Sequence, residues 1–168
     1  MSYCGLYDFQ HRVYGLPNLR VLDLSGNDLS ILNVEFFDTV PNLTYLRLHN
    51  TLLNNHFLIQ SGSRLLSPLT KLEFLDISNN GLASLPNDIF SELKNLQMIV
   101  LTYNKLISIP EVTSLMSLKH IHMSYNGLTT IDQTTRNMLD GTSNKNSNFH
   151  ISLYGNVLYC GCPSVKFL

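Results

Sequence analysis

Apolar and polar positions along this chain fall into a frame that returns six times. Leu19 to Leu29 reads LRVLDLSGNDL, with leucine or valine-type residues first, fourth and sixth, an asparagine ninth and a leucine eleventh. The frame LxxLxLxxNxL recurs at Leu72 to Leu82 (LEFLDISNNGL), Leu96 to Leu106 (LQMIVLTYNKL) and Leu118 to Leu128 (LKHIHMSYNGL). Leu43 to Leu53 (LTYLRLHNTLL) departs only in carrying Thr51 ninth, and Asn148 to Leu158 keeps Ile151, Leu153, Asn156 and Leu158. The period of two around the fourth and sixth positions predicts a short strand with one buried face, so Leu22 and Leu24 point inward and Asp23 outward.

After each strand the chain must turn, and the ninth-position asparagines Asn27, Asn80, Asn104, Asn126 and Asn156 carry donors and an acceptor for backbone groups that the turn leaves unpaired. Stacked copies place them in one buried column. The returning half carries its own apolar marks, Leu32, Phe37 and Val40 after Leu19, and Leu85, Phe90 and Leu93 after Leu72. No single unit can bury these residues alone, so neighbours must stack. The frame is that of a leucine-rich repeat. The expected fold is α/β: a leucine-rich-repeat solenoid, a horseshoe segment with a short parallel sheet on its concave face and irregular or helical returns on the convex side.

Repeats occupy residues 1–158, with a partial unit over 1–18 and units starting at 19, 43, 72, 96, 118 and 148. Met1-Ser2-Tyr3-Cys4-Gly5-Leu6 aligns with Met123-Ser124-Tyr125-Asn126-Gly127-Leu128, which places Cys4 ninth and opens the chain halfway through a strand. That start implies missing upstream sequence. The unit from Leu43 is long, and its extra residues around Asn54-Asn55-His56 and Ser61-Gly62-Ser63 predict a loop excursion. Asp140 to Ser147 is wholly polar and predicts a mobile loop before the last strand.

Charge and composition narrow the function mainly by exclusion. A net charge of -1 with 14% charged residues gives no electrostatic reason to expect nucleic acid or an acidic membrane. The longest aliphatic run, Met98-Ile99-Val100-Leu101, is far short of the roughly 20 residues of a membrane span. Met1 to Leu6 lacks the charged start and apolar run of a signal peptide, so the chain, taken as complete, belongs in the cytoplasm. No GxSxG, HExxH, phosphate-binding glycine loop or paired CxxC is present. Neither catalysis nor a cofactor is expected.

The C-terminus points elsewhere. Cys160-Gly161-Cys162 follows the last repeat directly, and cysteines one residue apart do not readily bond each other. A CxC pair in that place resembles the opening of the cysteine-rich C-terminal cap of extracellular leucine-rich-repeat proteins, Toll-like receptors among them. The resemblance implies that residues 159–168 start such a cap, that Cys160 and Cys162 form disulfides with cysteines beyond Leu168, and that the chain is part of the extracellular region of a membrane receptor. It also implies a protein or microbial ligand, a receptor partner chain, and a role in innate immune signal transduction. Asn42-Leu43-Thr44 is the one glycosylation sequon, with Asn42 the acceptor. A cytosolic repeat scaffold and an extracellular adhesion protein share the repeat and remain open.

Stacking the units also generates outward columns. The third positions are Val21, Tyr45, Phe74, Met98, His120 and His150, apolar and aromatic enough to read as the ligand-facing stripe, with packing against flanking loops as the alternative. The fifth positions put Asp23, Arg47 and Asp76 in a ladder of alternating sign. Tyr103 and Tyr125 stack at the eighth position. His120, His122 and His150 cluster at the C-terminal end of the concave face, where a pH-responsive contact, a three-histidine zinc site and plain solvated histidines are the readings open.

Overall fold

The computed structural model describes residues 16–159. Six three-residue strands, β1 (Val21–Asp23), β2 (Tyr45–Arg47), β3 (Phe74–Asp76), β4 (Met98–Val100), β5 (His120–His122) and β6 (His150–Ser152), form one parallel sheet in chain order. The registers align the third, fourth and fifth positions of every unit, for example Val21 with Tyr45, Leu46 with Leu75, and Val100 with His122. The fold is therefore a leucine-rich-repeat solenoid with a parallel sheet along one side. The fourth positions Leu22, Leu46, Leu75, Ile99 and Ile121 and the sixth positions Leu24, Leu48, Ile77, Leu101 and Met123 are buried in one core with Phe37, Phe90 and Leu93 of the returns.

Side-chain amides tie the units together behind the strands. Asn104 accepts at Oδ1 from the backbone N–H groups of Asn80 and Leu82, both 3.0 Å, and donates from Nδ2 to the carbonyls of Ile77 and Leu101, both 3.1 Å. Asn80, Asn126 and Asn156 repeat the arrangement, each reaching from its own turn into the preceding unit. Thr51 solves the same problem differently. Its Oγ1 donates to the Leu48 carbonyl at 3.0 Å, and its own backbone carbonyl accepts from Leu29 N–H at 2.8 Å in place of a side-chain amide oxygen.

The eighth position turns the chain sharply in each of the six units among the described residues. Gly26, Asn50, Asn79, Tyr103, Tyr125 and Gly155 all have φ between 52° and 74°, in the left-handed region. Glycine and asparagine enter that region cheaply, whereas for a bulky aromatic residue it is unusual.

Two expectations about the returns fail, for one reason. The segment around Asn54-Asn55-His56 and Ser61-Gly62-Ser63 is not a loop excursion but helix α1 (Asn55–Leu66). Leu58, Gly62, Leu65 and Leu66 share its buried face at helical spacing, and Gly62 lets the helix approach the Ile89 side chain, where a Cβ would lie 3.2 Å from Cδ1. The polar stretch Asp140 to Ser147 is not a mobile loop either. Most of it closes helix α2 (Gln133–Lys145), which leans on the core through Met138 and Leu139 and buries Thr142. Asp132 caps α2 by accepting from Thr135 N–H at 2.7 Å, and that bond holds its carboxyl below the usual carboxylate range. In both cases polar residues on the outward face of a helix look like loop composition.

The cap of α1 gives a direct test. Asn54 Oδ1 accepts from the N–H groups of His56 and Phe57 at 2.8 and 3.3 Å. Asn54→Ala is expected to cost about 1 kcal/mol. Amide hydrogen exchange should speed in the first turn of α1 and stay unchanged in β3 and β4; equal acceleration in the strands would contradict a local capping role.

Candidate functional site

The solvent side of the sheet is built from alternate residues of six short strands, so its chemistry is arranged in rows across the units. The third-position row runs Val21, Tyr45, Phe74, Met98, His120, His150 without a break. Its ends, Val21 and His150, are exposed, and the four between them are half-buried. Tyr45 and Phe74 stack face to face, with centroids 4.2 Å apart and planes 3° from parallel. Adjacent parallel strands hold flat rings at nearly their own stacking distance, and the row presents a continuous aromatic and thioether surface.

The fifth-position row supplies charge. Arg47 lies between Asp23 and Asp76, with Nη1 3.7 Å from Asp23 Oδ2 and Nε 3.4 Å from Asp76 Oδ2, and its guanidinium also covers the Tyr45 ring at 5.5 Å. Asp76 is buried and accepts from the Ser78 N–H and hydroxyl. Ser78 Oγ lies 2.8 Å from His49 Nδ1. This Asp–Ser–His group is not a hydrolytic triad, because the carboxylate holds the serine proton instead of orienting the imidazole that would have to remove it. It fixes Arg47 and His49 in place.

A third row lies along the turn edge. Tyr103 and Tyr125 stack with centroids 4.5 Å apart and planes at 7°, and Tyr154 meets the Tyr125 ring edge-on at 5.4 Å. A Cβ built on Gly155 would come within 2.6 Å of Tyr125 Cδ1, so the ring rests directly on that glycine's backbone. Tyr103 is 57% exposed, Tyr125 42% and Tyr154 73%. Partial loss of solvent, then the neighbouring Tyr154 and Tyr103, push the Tyr125 phenol above its usual value.

The three histidines do come together. The His120 ring lies 6.2 Å from His122 and 5.6 Å from His150, with planes 12° and 17° from parallel. Parallel rings do not converge nitrogens on a point, and among the described residues no group of three or more His, Cys, Asp or Glu side chains could hold a metal ion. The zinc reading is thereby set aside.

Asn42 is half-buried and its amide is occupied on both sides. Nδ2 donates to the Pro17 carbonyl at 2.7 Å, and Oδ1 accepts from Lys71 Nζ at 2.6 Å. Asn95, which is not in a sequon, bridges to the Thr70 carbonyl in the same way. A sugar on Asn42 would be attached at the bridging atom. Cys4, Cys160 and Cys162 lie outside the described residues. Among these, no helix is long and apolar enough to cross a membrane.

The columns drawn from the sequence omit the seventh position, and with it His49, Ser78 and Tyr154. The signal was present, since Ser25, His49, Ser78, Thr102, Ser124 and Tyr154 recur at the same spacing. Their mixed side chains hide the column until the hydrogen bonds are seen.

Comparison with known proteins places this geometry. The leucine rich repeat family profile matches residues 9–53 and 70–128. The chain is 33% identical to mouse Toll-like receptor 9 over 77% of its length, and 34% identical to mouse opticin over 72%. It is 31% identical to mouse CD180 antigen over 96% of its length. It spans only 12%, 34% and 23% of those relatives respectively. Among solved structures, a TLR13–ssRNA13 complex superposes with a TM-score of 0.67 and human 5T4 with 0.73, each 26% identical and covering 86% and 88% of the chain; the chain covers 20% and 55% of theirs. With the repeated frame, the parallel sheet and the asparagine ladder on the same positions, the chain belongs to the leucine-rich repeat family.

Proposed function

We propose that this chain is part of the extracellular, ligand-binding region of a Toll-like-receptor-type innate immune receptor, and that it acts without catalysis by holding a partner on the solvent side of its sheet. The observation that carries this reading is the third-position row from Val21 to His150. Aromatic and Met side chains on a rigid sheet anchor interfaces at little cost in ordering. The similarity to Toll-like receptor 9 and CD180 antigen supports the receptor assignment, and the CxC pair at Cys160 and Cys162 supports an oxidising compartment. A second reading, an extracellular adhesion or matrix protein built on the same repeat, is favoured by the similarity to opticin and to human lumican.

Sequencing the full transcript through both ends of the reading frame tests the assignment. The receptor reading expects upstream repeats behind a signal peptide, and downstream two further cysteines, a membrane span and a signalling domain. Two cysteines followed by a stop would favour the adhesion reading. A genuine start at Met1 with a stop after Leu168 would overturn both and leave a cytosolic scaffold.

A further inference from the structure

The eighth-position row contains a contradiction that its neighbours make visible. All six residues there adopt the left-handed conformation, and four of them are glycine or asparagine. Tyr103 and Tyr125 are not, and a bulky residue held at positive φ carries strain of order 1–3 kcal/mol. Burial repays only part of it, since Tyr103 stays 57% and Tyr125 42% exposed. What the substitution achieves is display: two stacked rings with Tyr154 against their edge, three phenol groups rigidly presented beside the C-terminal strands.

The charge around this platform is one-sided. The strand-and-turn segments 96–107, 118–131 and 148–159 contain no Asp or Glu, and they carry Lys105, Lys119 and the three histidines. The corresponding segments 19–29, 43–53 and 72–82 hold Asp23, Asp28, Glu73 and Asp76 against Arg20 and Arg47. The sheet side of the solenoid is thus acidic with compensating arginines in its first half, and free of carboxylates in its second.

We propose that Tyr103, Tyr125 and Tyr154, with Lys105 two residues beyond Tyr103 on the same turn, form a docking surface for an acidic polypeptide segment. This rests on reading the solvent side of the sheet as the binding side. Phenol hydroxyls donate to carboxylates, Lys105 supplies charge, and tyrosines give contact area with few torsions to freeze. A polynucleotide fits less well. One lysine neutralises few phosphates, and rings already stacked at 4.5 Å leave no slot between them for a base.

The test is fluorescence anisotropy on the 168-residue chain with a fluorescein-labelled decapeptide of alternating Glu and Ala, a matched Lys–Ala peptide, and labelled ten-residue oligo-dT. The expected result is binding of the Glu–Ala peptide alone, weakened at least tenfold in Tyr103→Asn/Tyr125→Asn. The urea midpoint should be unchanged or higher in that variant, because Asn50 and Asn79 already occupy the same backbone conformation. Lys105→Glu gives a second reading at an exposed residue that leaves Tyr103 and Tyr125 untouched, and should weaken the peptide without moving the midpoint. Equal binding by the variants, oligo-dT binding as tightly as the peptide, or tyrosine-dependent self-association in sedimentation would each overturn the proposal. Transcript sequencing decides the receptor assignment independently, so a failed titration leaves that assignment standing and a short transcript leaves the titration standing.

Discussion

Asn104→Ala is expected to lower the unfolding free energy by about 2–3 kcal/mol, read as a reduced urea midpoint with an unchanged slope. The side chain is buried and makes four bonds to backbone groups, one in its own unit and three that reach across to the unit before. Alanine leaves the N–H groups of Asn80 and Leu82 without their acceptor, away from water, while the carbonyls of Ile77 and Leu101 keep only the bonds from the Asn80 and Asn126 amides. Because each unit contacts only its neighbours, the loss is felt as a weakened interface between the units starting at Leu72 and Leu96. Asn104→Thr should recover part of the loss. Thr51 shows the reason: a hydroxyl in this position still donates to the carbonyl three residues back, while the backbone takes over as acceptor. An alanine variant as stable as the parent would mean that the amide column is not what couples the units.

Phe90→Ala is expected to cost about 3–5 kcal/mol, the largest effect of any single change considered. Phe90 is fully buried in the return of the unit from Leu72, close-packed in the same core as Leu75 and Leu93. Removing its ring leaves a void that the rigid sheet on one side prevents from collapsing. The matched control is Ile107→Ala. Ile107 is 69% exposed, so its truncation should stay within about 0.5 kcal/mol. Thermal or urea melts of the two variants separate burial from hydrophobicity as such, since both lose a large apolar side chain. Equal losses would contradict the placement of Phe90 in the core.

What each level of description could reveal follows from the range of the forces involved. Leu22, Leu24 and their counterparts were legible from the chain because an inward-facing strand position is set by period two, a local property repeated in every unit. The ninth-position asparagines were legible for the same reason: a turn with unpaired backbone groups must recur wherever the strand recurs. The alignment of Val21, Tyr45, Phe74, Met98, His120 and His150 into one row also followed, because identical units in parallel register stack like on like.

The helices α1 and α2 did not follow. Each sits in a unit longer than its neighbours, where the chain has room to choose between loop and helix. Gly62 against Ile89, and Met138 and Leu139 against the core, decide that choice through contacts that local composition does not encode. The Asp76–Ser78–His49 group spans two units and exists only once β2 and β3 are paired. The strain at Tyr103 and Tyr125 was equally hidden. A tyrosine in a sequence carries no sign of its φ, and only the shared turn, imposed on every unit by stacking, places it in the left-handed region and sets its ring against its neighbour's.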